Sequence, residues 1–253
     1  MATRPNPSCM RIMTYNVHGC VGVDKKLDVG RVAAVIAQSK PDIVALQELD
    51  VGRARSNGED QAHAIASRLG MTFHFNPAMN LAEERYGDAL LTALPMRLVK
   101  CGPLPILRQF RALEPRGAVW AAIDVDGVEV QVINTHLGLV PLEQRGQMAS
   151  LLGKDWVGHE DCVAPAILLG DFNATSRYAV YRTAVGRLKD VQTMMGTKRP
   201  TPTFPSRFPV LRIDHIFVTD GIEVTDVHAP SGPLPQAASD HLPLVADLKV
   251  RGV

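Results

Sequence analysis

Strand-forming segments that follow one another through short turns most restrict how this chain can fold. Residues 118–125 and 128–137 are rich in strand-forming residues, and only Asp126-Gly127 separates them, which predicts a tight hairpin. An all-parallel, doubly wound sheet needs a helix at nearly every crossover, so this pattern disfavours that class. We therefore predict an α/β fold in which two mixed sheets pack face to face with helices outside.

The other elements are predicted from hydrophobic periodicity and turn signals. The predicted helices cover residues 29–39, 59–69 and 142–156, with a short one after Ser176, and the further strands cover 11–17, 42–48, 87–94, 167–169, 211–219, 222–228 and 242–250. The segment 196–211, rich in Pro, Arg and Phe, is the longest irregular stretch. Long ordered loops of this kind often border a binding site.

The composition is that of an ordinary globular chain. Its 253 residues, 46% hydrophobic and 21% charged, lead us to predict one domain over 1–253, with a flexible tail over 1–9. The net charge of +1 argues against binding nucleic acid through a broad basic surface. Four cysteines without C-x-x-C spacing exclude a zinc ribbon and indicate no disulfide framework. Without a signal peptide or an apolar run of membrane length, we expect a cytoplasmic monomer with no membrane span.

Polar side chains recur where the predicted apolar strands stop. Taken singly, Asn16 and Glu48 are equally well explained as turn or strand-end residues, and His136 as a hydrogen-bonded core histidine. Asp214 is different because it lies inside an apolar strand, where a carboxylate is costly unless it is paired or bound to a cation. The full set comprises Asn16, Glu48, His136, Asp171, Asn173, Asp214, His215, Asp240 and His241.

Together these side chains offer oxygen donors and imidazoles, which suit Mg²⁺ or Mn²⁺ better than zinc. Magnesium usually takes one or two protein carboxylates, so Glu48 with Asn16 beside it is a reasonable ligand pair. Asp171 is then free to orient or deprotonate a water, while His241 and His136 can donate to developing negative charge. The chain contains no nucleophile elbow, P-loop, dinucleotide fingerprint or H-E-x-x-H motif, so the chemistries of those motifs have no support.

Seven short pieces of sequence, taken in order, carry a resemblance to a known family. They are TYNVHG (14–19), LQELD (46–50), RYGDALLT (85–92), NTHLG (134–138), GDFNA (170–174), RIDHIF (212–217) and SDHLP (239–243). Their order and spacing resemble those of the endonuclease/exonuclease/phosphatase superfamily, which includes deoxyribonuclease I. The resemblance implies a four-layer α/β sandwich with catalytic groups on loops at one end. It also implies Mg²⁺-dependent phosphoester hydrolysis by in-line attack of water.

The resemblance also implies roles for the metal-binding and water-activating residues. Glu48 matches the principal metal ligand, with Asn16 beside it. Asp240 matches a further metal ligand or a carboxylate just behind the metal. Asp171 matches the group that activates or positions the attacking water, and Asn173 matches a residue that orients the water and the phosphate.

The resemblance also implies roles for two histidines. His241 matches the residue that contacts the phosphoryl oxygens, with Asp214 orienting and charging it, and His136 takes the remaining position of the motif. The RYGDALLT piece has Asp88 where many relatives have Asn. We hypothesise that Asp88 pairs with His136 and raises its pKa; a solvated strand-end carboxylate is an equally good interpretation. Tyr86 and Asp88, both in this piece, are candidates for substrate contact.

The sequence restricts the substrate only in part. The 5-phosphatase signature, in which Trp precedes an Asp-Arg pair, is absent, and the 5% aromatic content leaves few side chains for stacking on bases. Of the arginines near predicted phosphate positions, Arg55 and Arg116 are the chosen substrate contacts, because Arg suits bidentate phosphate recognition. Any single one of these arginines is also well explained as a solvated surface residue. The full set is Arg53, Arg55, Arg108, Arg111 and Arg116.

The leading hypothesis is a Mg²⁺- or Mn²⁺-dependent phosphodiesterase or phosphatase. Its substrate would be a lipid phosphate, a small phosphodiester or nucleic acid. Two alternatives stay open: a nuclease that acts on DNA or RNA, and a non-catalytic phosphate-binding module on the same fold.

Overall fold

Two mixed six-stranded sheets form the centre of the computed structural model, which describes residues 8–81, 84–107, 113–196 and 199–250. In chain order the strands are β1 (Ser8–Asn16), β2 (Ile43–Val51), β3 (Thr72–Leu81), β4 (Glu84–Thr92), β5 (Met96–Pro103), β6 (Gly117–Val125), β7 (Val128–His136), β8 (Ala166–Asp171), β9 (Lys189–Asp190), β10 (Asp214–Val218), β11 (Ile222–His228) and β12 (Leu244–Val250). One sheet has the order β11-β12-β1-β2-β4-β3 and the other the order β5-β6-β7-β8-β10-β9. Only the β1–β2 and β7–β8 pairings in the described ranges are parallel.

Six α-helices accompany the sheets within the described ranges. They are α1 (Val29–Ser39), α2 (Gln61–Leu69), α3 (Pro141–Leu151), α4 (Ala179–Val185), α5 (Val191–Met194) and α6 (Pro233–Ala238), and short 3-10 helices cover His18–Cys20 and Ala54–Ser56. Asp28 and Asp60 cap α1 and α2 by accepting hydrogen bonds from the backbone N–H groups of Arg31 and His63. None of the helices in the described part of the chain is long and apolar enough to cross a membrane.

Alternating side chains divide the apolar interior into three layers. Ile12 and Ile43 face the space between the two sheets, whereas their neighbours Met13 and Val44 face α1 and α2 on the other side. On the outer face of the second sheet, Trp120 and its neighbours pack against α3 and α4. This period of two is what a strand buried on both faces requires. The result is a helix–sheet–sheet–helix sandwich, which confirms the predicted fold class.

The structure corrects the sequence prediction in several places. Strands β3 and β5 were not predicted; each lies at a sheet edge, and each contains proline (Pro77 and Pro103), which edge positions tolerate. Helix α3 ends at Leu151, short of the predicted residue 156. Ser8 and Cys9, placed by the prediction in a flexible tail, belong to β1, and the rest of that tail lies outside the described residues.

Candidate active site

The predicted site residues meet where the carboxyl ends of the two parallel strand pairs converge. Asn16 ends β1 and Asp171 ends β8, and these strands lie in the middle of different sheets. Asn16 Nδ2 donates to Asp171 Oδ2 at 2.9 Å, so a buried hydrogen bond joins the two sheets at this end. A little deeper, Gln47 Nε2 donates to Asn134 Oδ1 at 2.7 Å. These contacts fix the relative position of the two strand ends.

A cleft of about 750 Å³ opens over this end of the sandwich. Most of the predicted site residues line it: Glu48, Arg55, Tyr86, Arg116, His136, Asp171, Asn173, Asp240 and His241. Asn16, Asp88 and Asp214 are buried and do not line the cleft. Two predicted arginines, Arg108 and Arg111, lie outside the described residues.

Glu48 reaches the cleft because β2 bulges at this position. The register of β2 against β4 shifts between Leu46 and Leu49, and Glu48 has a φ of +63°, a conformation that non-glycine residues rarely adopt. Its backbone N–H donates to the buried carboxylate of Asp88. Backbone strain of this kind persists only when its surroundings hold it, and it concentrates at functional sites. Asp88, which does not line the cleft itself, therefore interacts with the backbone of Glu48 from the buried side.

The side chain of Glu48 is held as a carboxylate. Its Oε1 accepts from Asn16 Nδ2 at 2.8 Å, and its Oε2 lies 3.5 Å from His18 Nδ1. Burial alone would raise the pKa of Glu48, but the hydrogen bonds from His18 and Asn16 outweigh it and lower the pKa. Asn16 is fixed in turn, because its Oδ1 accepts from the His18 backbone N–H at 3.0 Å.

The donor set around His18 fits a hard divalent cation. Asp240 Oδ1 lies 3.8 Å from His18 Nδ1, so that nitrogen has the carboxylates of both Glu48 and Asp240 within 4 Å. Both carboxylates line the cleft and are partly exposed. The His18 imidazole lies between these carboxylates, and the hydrogen bond to Glu48 and the charge of Asp240 raise its pKa. Carboxylate oxygens of this type suit Mg²⁺ or Mn²⁺.

Asp171 lies in a ring of hydrogen-bond donors. Its Oδ1 accepts from the backbone N–H of Asn173 at 2.8 Å, and its Oδ2 accepts from Asn16. The same Oδ2 lies 3.6 Å from both His136 Nε2 and His241 Nε2. Burial raises the pKa of Asp171, and the charge of His241 only partly opposes that shift. A buried carboxylate with a raised pKa at the edge of a cleft is suited to accept a proton.

His241 is held as an imidazolium. Its Nδ1 lies 2.9 Å from Asp214 Oδ2, and Thr203 Oγ1 donates to that same carboxylate oxygen. Burial alone would lower the pKa of His241, but the carboxylates of Asp214 and Asp171 overcome this and raise it. Donor atoms of Asp171, Asp214 and His241 lie within 4.8 Å of one another, and here the imidazolium already compensates the two carboxylates. This geometry matches the orienting function that the resemblance implied for Asp214.

His136 has a different partner from the one hypothesised. Arg116 Nη1 lies 3.0 Å from His136 Nδ1, so that nitrogen accepts the hydrogen bond. On the other side of the ring, Asn173 Nδ2 lies 3.0 Å from His136 Nε2, and Asp171 Oδ2 lies 3.6 Å from the same nitrogen. Burial and the neighbouring Arg116 lower the pKa of His136 well below its usual value. The hypothesis that Asp88 pairs with His136 and raises its pKa is therefore wrong. Burial instead raises the pKa of Asp88 to about 8.

The remaining predicted contacts form a polar side of the cleft. Arg116 Nη2 pairs with Glu114 at 2.9 Å, and Arg55 makes hydrogen bonds of 2.7 and 2.8 Å to Asp50. The Arg55 guanidinium also lies 5.5 Å from the centre of the Tyr86 ring. Both arginines are thus held in place while they line the cleft, as a binding site for anions requires.

Several side chains that complete the site were not predicted from the sequence. His18 was part of the quoted TYNVHG piece, and its position two residues after a strand-end asparagine was the available signal. Thr203 and Phe204 come from the irregular segment; Phe204 lies against His241 with ring centres 4.9 Å apart. The Phe204–His241 contact joins segments far apart in sequence, and no local sequence pattern predicts either contact. Phe172, between Asp171 and Asn173, packs edge-on against Phe217 in the core.

Gly170, directly before Asp171, lies in a position where a larger residue does not fit. Its replacement tests how strongly the backbone is constrained there. Gly170 has a φ of +145°, and a Cβ there would lie 1.8 Å from the carbonyl oxygen of Thr135. We expect Gly170→Ala to lower the free energy of unfolding by about 3 kcal/mol or more. Gly102→Ala is the matched control, since nothing lies within 4 Å of a Cβ at that strand position. Urea denaturation measures both, and an equal cost for the two variants would contradict the constraint at Gly170.

Comparison with known proteins gives one family match. The model of the family described as Endonuclease/Exonuclease/phosphatase family matches residues 13–241, which is most of the chain. The uncharacterized protein YbhP of Escherichia coli (strain K12) is 26% identical over 249 residues, covering 94% of this chain and 95% of YbhP.

Solved structures with the same fold extend this comparison. The endonuclease/exonuclease/phosphatase of Beutenbergia cavernae superposes with a TM-score of 0.77 at 24% identity, covering 97% of this chain and 72% of that one. The mannosyl-6-phosphatase of Bacteroides thetaiotaomicron superposes with a TM-score of 0.72 at 20% identity, covering 94% of this chain and 99% of that one. At these identities the structural likeness is evidence of the fold alone.

Proposed function

The chain belongs to the endonuclease/exonuclease/phosphatase family, and from this premise we propose that it is a Mg²⁺- or Mn²⁺-dependent phosphoester hydrolase. The reaction would be in-line attack of water on phosphorus, acting on a phosphodiester or a phosphomonoester. We propose that the whole of residues 1–253 forms one catalytic domain that works as a monomer in the cytoplasm.

One observation carries the proposal: Asp171 Oδ2 lies among Asn16, His136 and His241 at the floor of the cleft. A carboxylate with a raised pKa is a suitable general base for water, and an imidazolium beside it is a suitable donor to phosphoryl oxygens. A structural ion pair would not need to face a cleft of this size. Family membership supports phosphorus as the reacting centre.

Glu48 and Asp240, with Asn16 beside them, would hold the divalent cation. When bound, such a cation polarises a phosphoryl oxygen and stabilises negative charge on the leaving oxygen. Asn16 orients Glu48 by donating to it, and the backbone N–H of Glu48 faces the buried Asp88. The orientation of the metal-binding carboxylate is therefore set by neighbours outside the cleft.

The other residues would act on the water and the phosphate. Asp171 would take a proton from the attacking water, with Asn173 orienting that water and the phosphate. His241 would donate to a phosphoryl oxygen through Nε2, while Asp214 keeps Nδ1 protonated at 2.9 Å. Arg116 carries a positive charge into the cleft and, together with burial, keeps His136 neutral.

An activity panel tests this function. We expect purified protein with Mg²⁺ to hydrolyse 4-nitrophenyl phosphate or bis(4-nitrophenyl) phosphate. A supercoiled plasmid in the same panel separates the nuclease alternative. Plasmid nicking that both Glu48→Ala and Asp171→Ala abolish, without hydrolysis of the small esters, would favour a nuclease. No hydrolysis of any phosphoester with any divalent metal would favour the non-catalytic phosphate-binding module.

A further inference from the structure

Large apolar side chains are exposed in the lining of the cleft. Leu139, Tyr178 and Leu211 line it, with exposed fractions of 71%, 44% and 42%. Phe204 and Ile213 line the same cleft and are more buried. Isolated exposed apolar residues are ordinary, but several that line the same cleft indicate a surface that contacts an apolar partner.

The loop between Phe204 and Leu211 adds further exposed apolar side chains. Phe204 and Leu211 pair at its base, where the backbone N–H groups of Val210 and Leu211 donate to Phe204 O at 2.9 and 2.8 Å. The base starts at the catalytic floor, because the Phe204 ring packs against His241. Farther along the loop, Phe208 and Val210 are 79% and 74% exposed. Apolar side chains of this loop thus occur both next to His241 and at its solvent-exposed part.

The loop is anchored rather than loosely placed. Ser206 Oγ donates to Ser239 O at 2.7 Å, and its backbone N–H donates to Asp240 O at 2.7 Å. Thr203, just before the loop, donates to Asp214. The backbone of this loop is therefore anchored next to the catalytic residues, as a binding surface needs.

We call the cleft-lining residues Leu139, Tyr178, Phe204, Leu211 and Ile213 the apolar wall. Phe208 and Val210 belong to the adjoining loop and do not line the cleft. The polar part of the cleft lining carries Arg55, Glu114 and Arg116, and the floor carries the carboxylates and imidazoles described above. A ligand that satisfies both parts has an anionic phosphate at one end and an apolar chain beside it. Arg177 lines the cleft next to Tyr178, and Arg207 precedes Phe208; both are exposed and add positive charge near the wall.

We propose that the apolar wall binds an aliphatic chain esterified close to the scissile phosphate, so that the substrates are amphiphilic phosphoesters. This inference rests on the proposed phosphoester hydrolysis and specifies its substrate class. A dispersed alkyl phosphoester and a lipid headgroup in a membrane present the same chemistry to the cleft. The exposed tip residues Phe208 and Val210 would contact the chain or the lipid surface beyond it.

A series of ester substrates with alkyl chains of increasing length tests this proposal. Methyl, butyl and octyl 4-nitrophenyl phosphates are assayed as diesters, and methyl, butyl and octyl phosphates as monoesters, all below the critical micelle concentration. In whichever ester class is hydrolysed, we expect kcat/KM to rise about tenfold or more from methyl to octyl, because the longer chain buries more apolar surface. The octyl esters are then assayed above the critical micelle concentration. A rise confined to that condition would also support the proposal, with a lipid surface as the source of the chain.

Variants of the wall and of the adjoining loop make the test specific. We expect Tyr178→Ser/Leu211→Ser, and separately Phe208→Ser/Val210→Ser, to reduce the octyl-to-methyl ratio of kcat/KM severalfold. The ratio is the readout because both esters undergo the same chemical step. The matched control is Leu98→Ser, which changes a residue that is 39% exposed on β5 and does not line the cleft; it should keep the wild-type ratio.

The failures of the two proposals are distinguishable. Hydrolysis with equal kcat/KM for all chain lengths in the wild type overturns the inference and leaves the proposed function standing. Hydrolysis of nucleic acid alone also overturns the inference. No hydrolysis of any phosphoester overturns both proposals.

Discussion

Replacing Asp171 by Asn is expected to reduce kcat for phosphoester hydrolysis by about 10³-fold, since a positioned general base contributes about 10²- to 10⁴-fold. The carboxylate is the only group in contact with Asn16, His136 and His241 together among the described residues. Asn is nearly isosteric and cannot accept the proton from water. KM should change far less than kcat, because the substrate contacts proposed for Arg116 and Arg55 are untouched. Steady-state kinetics on the best substrate of the panel measures both constants.

The fold should survive this substitution. An amide removes a buried carboxylate whose pKa is raised, but it leaves one of the surrounding donors without a good acceptor, so the free energy of unfolding should change by about 1–3 kcal/mol. Asp220→Asn is the control, because the Asp220 side chain is 88% exposed and pairs only at the surface with Lys189. It should leave kcat unchanged. A folded Asp171→Asn protein with more than about a tenth of wild-type kcat would contradict the assignment of Asp171 as the base.

Replacing Glu48 by Gln is expected to weaken Mn²⁺ binding by about 100-fold or more, because loss of a direct carboxylate ligand should cost at least as much as loss of its hydrogen-bonded supports. Gln can still accept from Asn16 Nδ2, so the hydrogen bond of 2.8 Å that orients the side chain is retained. The change therefore removes charge with little change of shape. Isothermal titration with Mn²⁺ measures the affinity without any dependence on catalysis, and the rate of hydrolysis should fall in parallel at limiting metal.

Glu129→Gln is the control for this experiment. The Glu129 side chain is 57% exposed and lies 3.4 Å from Arg97 on the surface, so its replacement should leave Mn²⁺ affinity at the wild-type value. Wild-type affinity in Glu48→Gln as well would show that the metal binds elsewhere. The cluster of Asp171, Asp214 and His241 would then be the next candidate, and Asp214→Asn would test it by the same titration.

The central strands could be predicted from sequence because their burial dictates their pattern. Ile43, Val44 and Ala45 are all buried, since β2 packs against the other sheet on one face and against helices on the other. Such a run of apolar residues ending in polar ones is readable without a structure. Edge strands such as β3 lack this pattern, because a sheet neighbour lies on only one side and Pro77 is tolerated. The family resemblance and the fold class are both confirmed.

The sequence predicted which residues form the site better than it predicted which of them contact each other. Residues at the ends of β1, β7 and β8 converge because those strands end at the same side of the sandwich. Which side chains then touch depends on contacts between remote segments. From the sequence alone we paired Asp88 with His136. In the structure Arg116 contacts His136, and Asp88 faces the backbone N–H of Glu48. The catalytic and binding roles of the site residues stay predictions until the substitutions above are measured.

The most direct test of the central proposal is the rate of phosphoester hydrolysis by metal-stripped protein before and after Mg²⁺ or Mn²⁺ is restored. We expect the stripped protein in excess chelator to lose at least about 100-fold in rate, because Glu48 and Asp240 then have no cation with which to polarise the phosphate. Adding back Mg²⁺ or Mn²⁺ should restore the rate in wild type and not in Asp171→Asn. Undiminished hydrolysis in excess chelator would contradict the proposed metal-dependent mechanism.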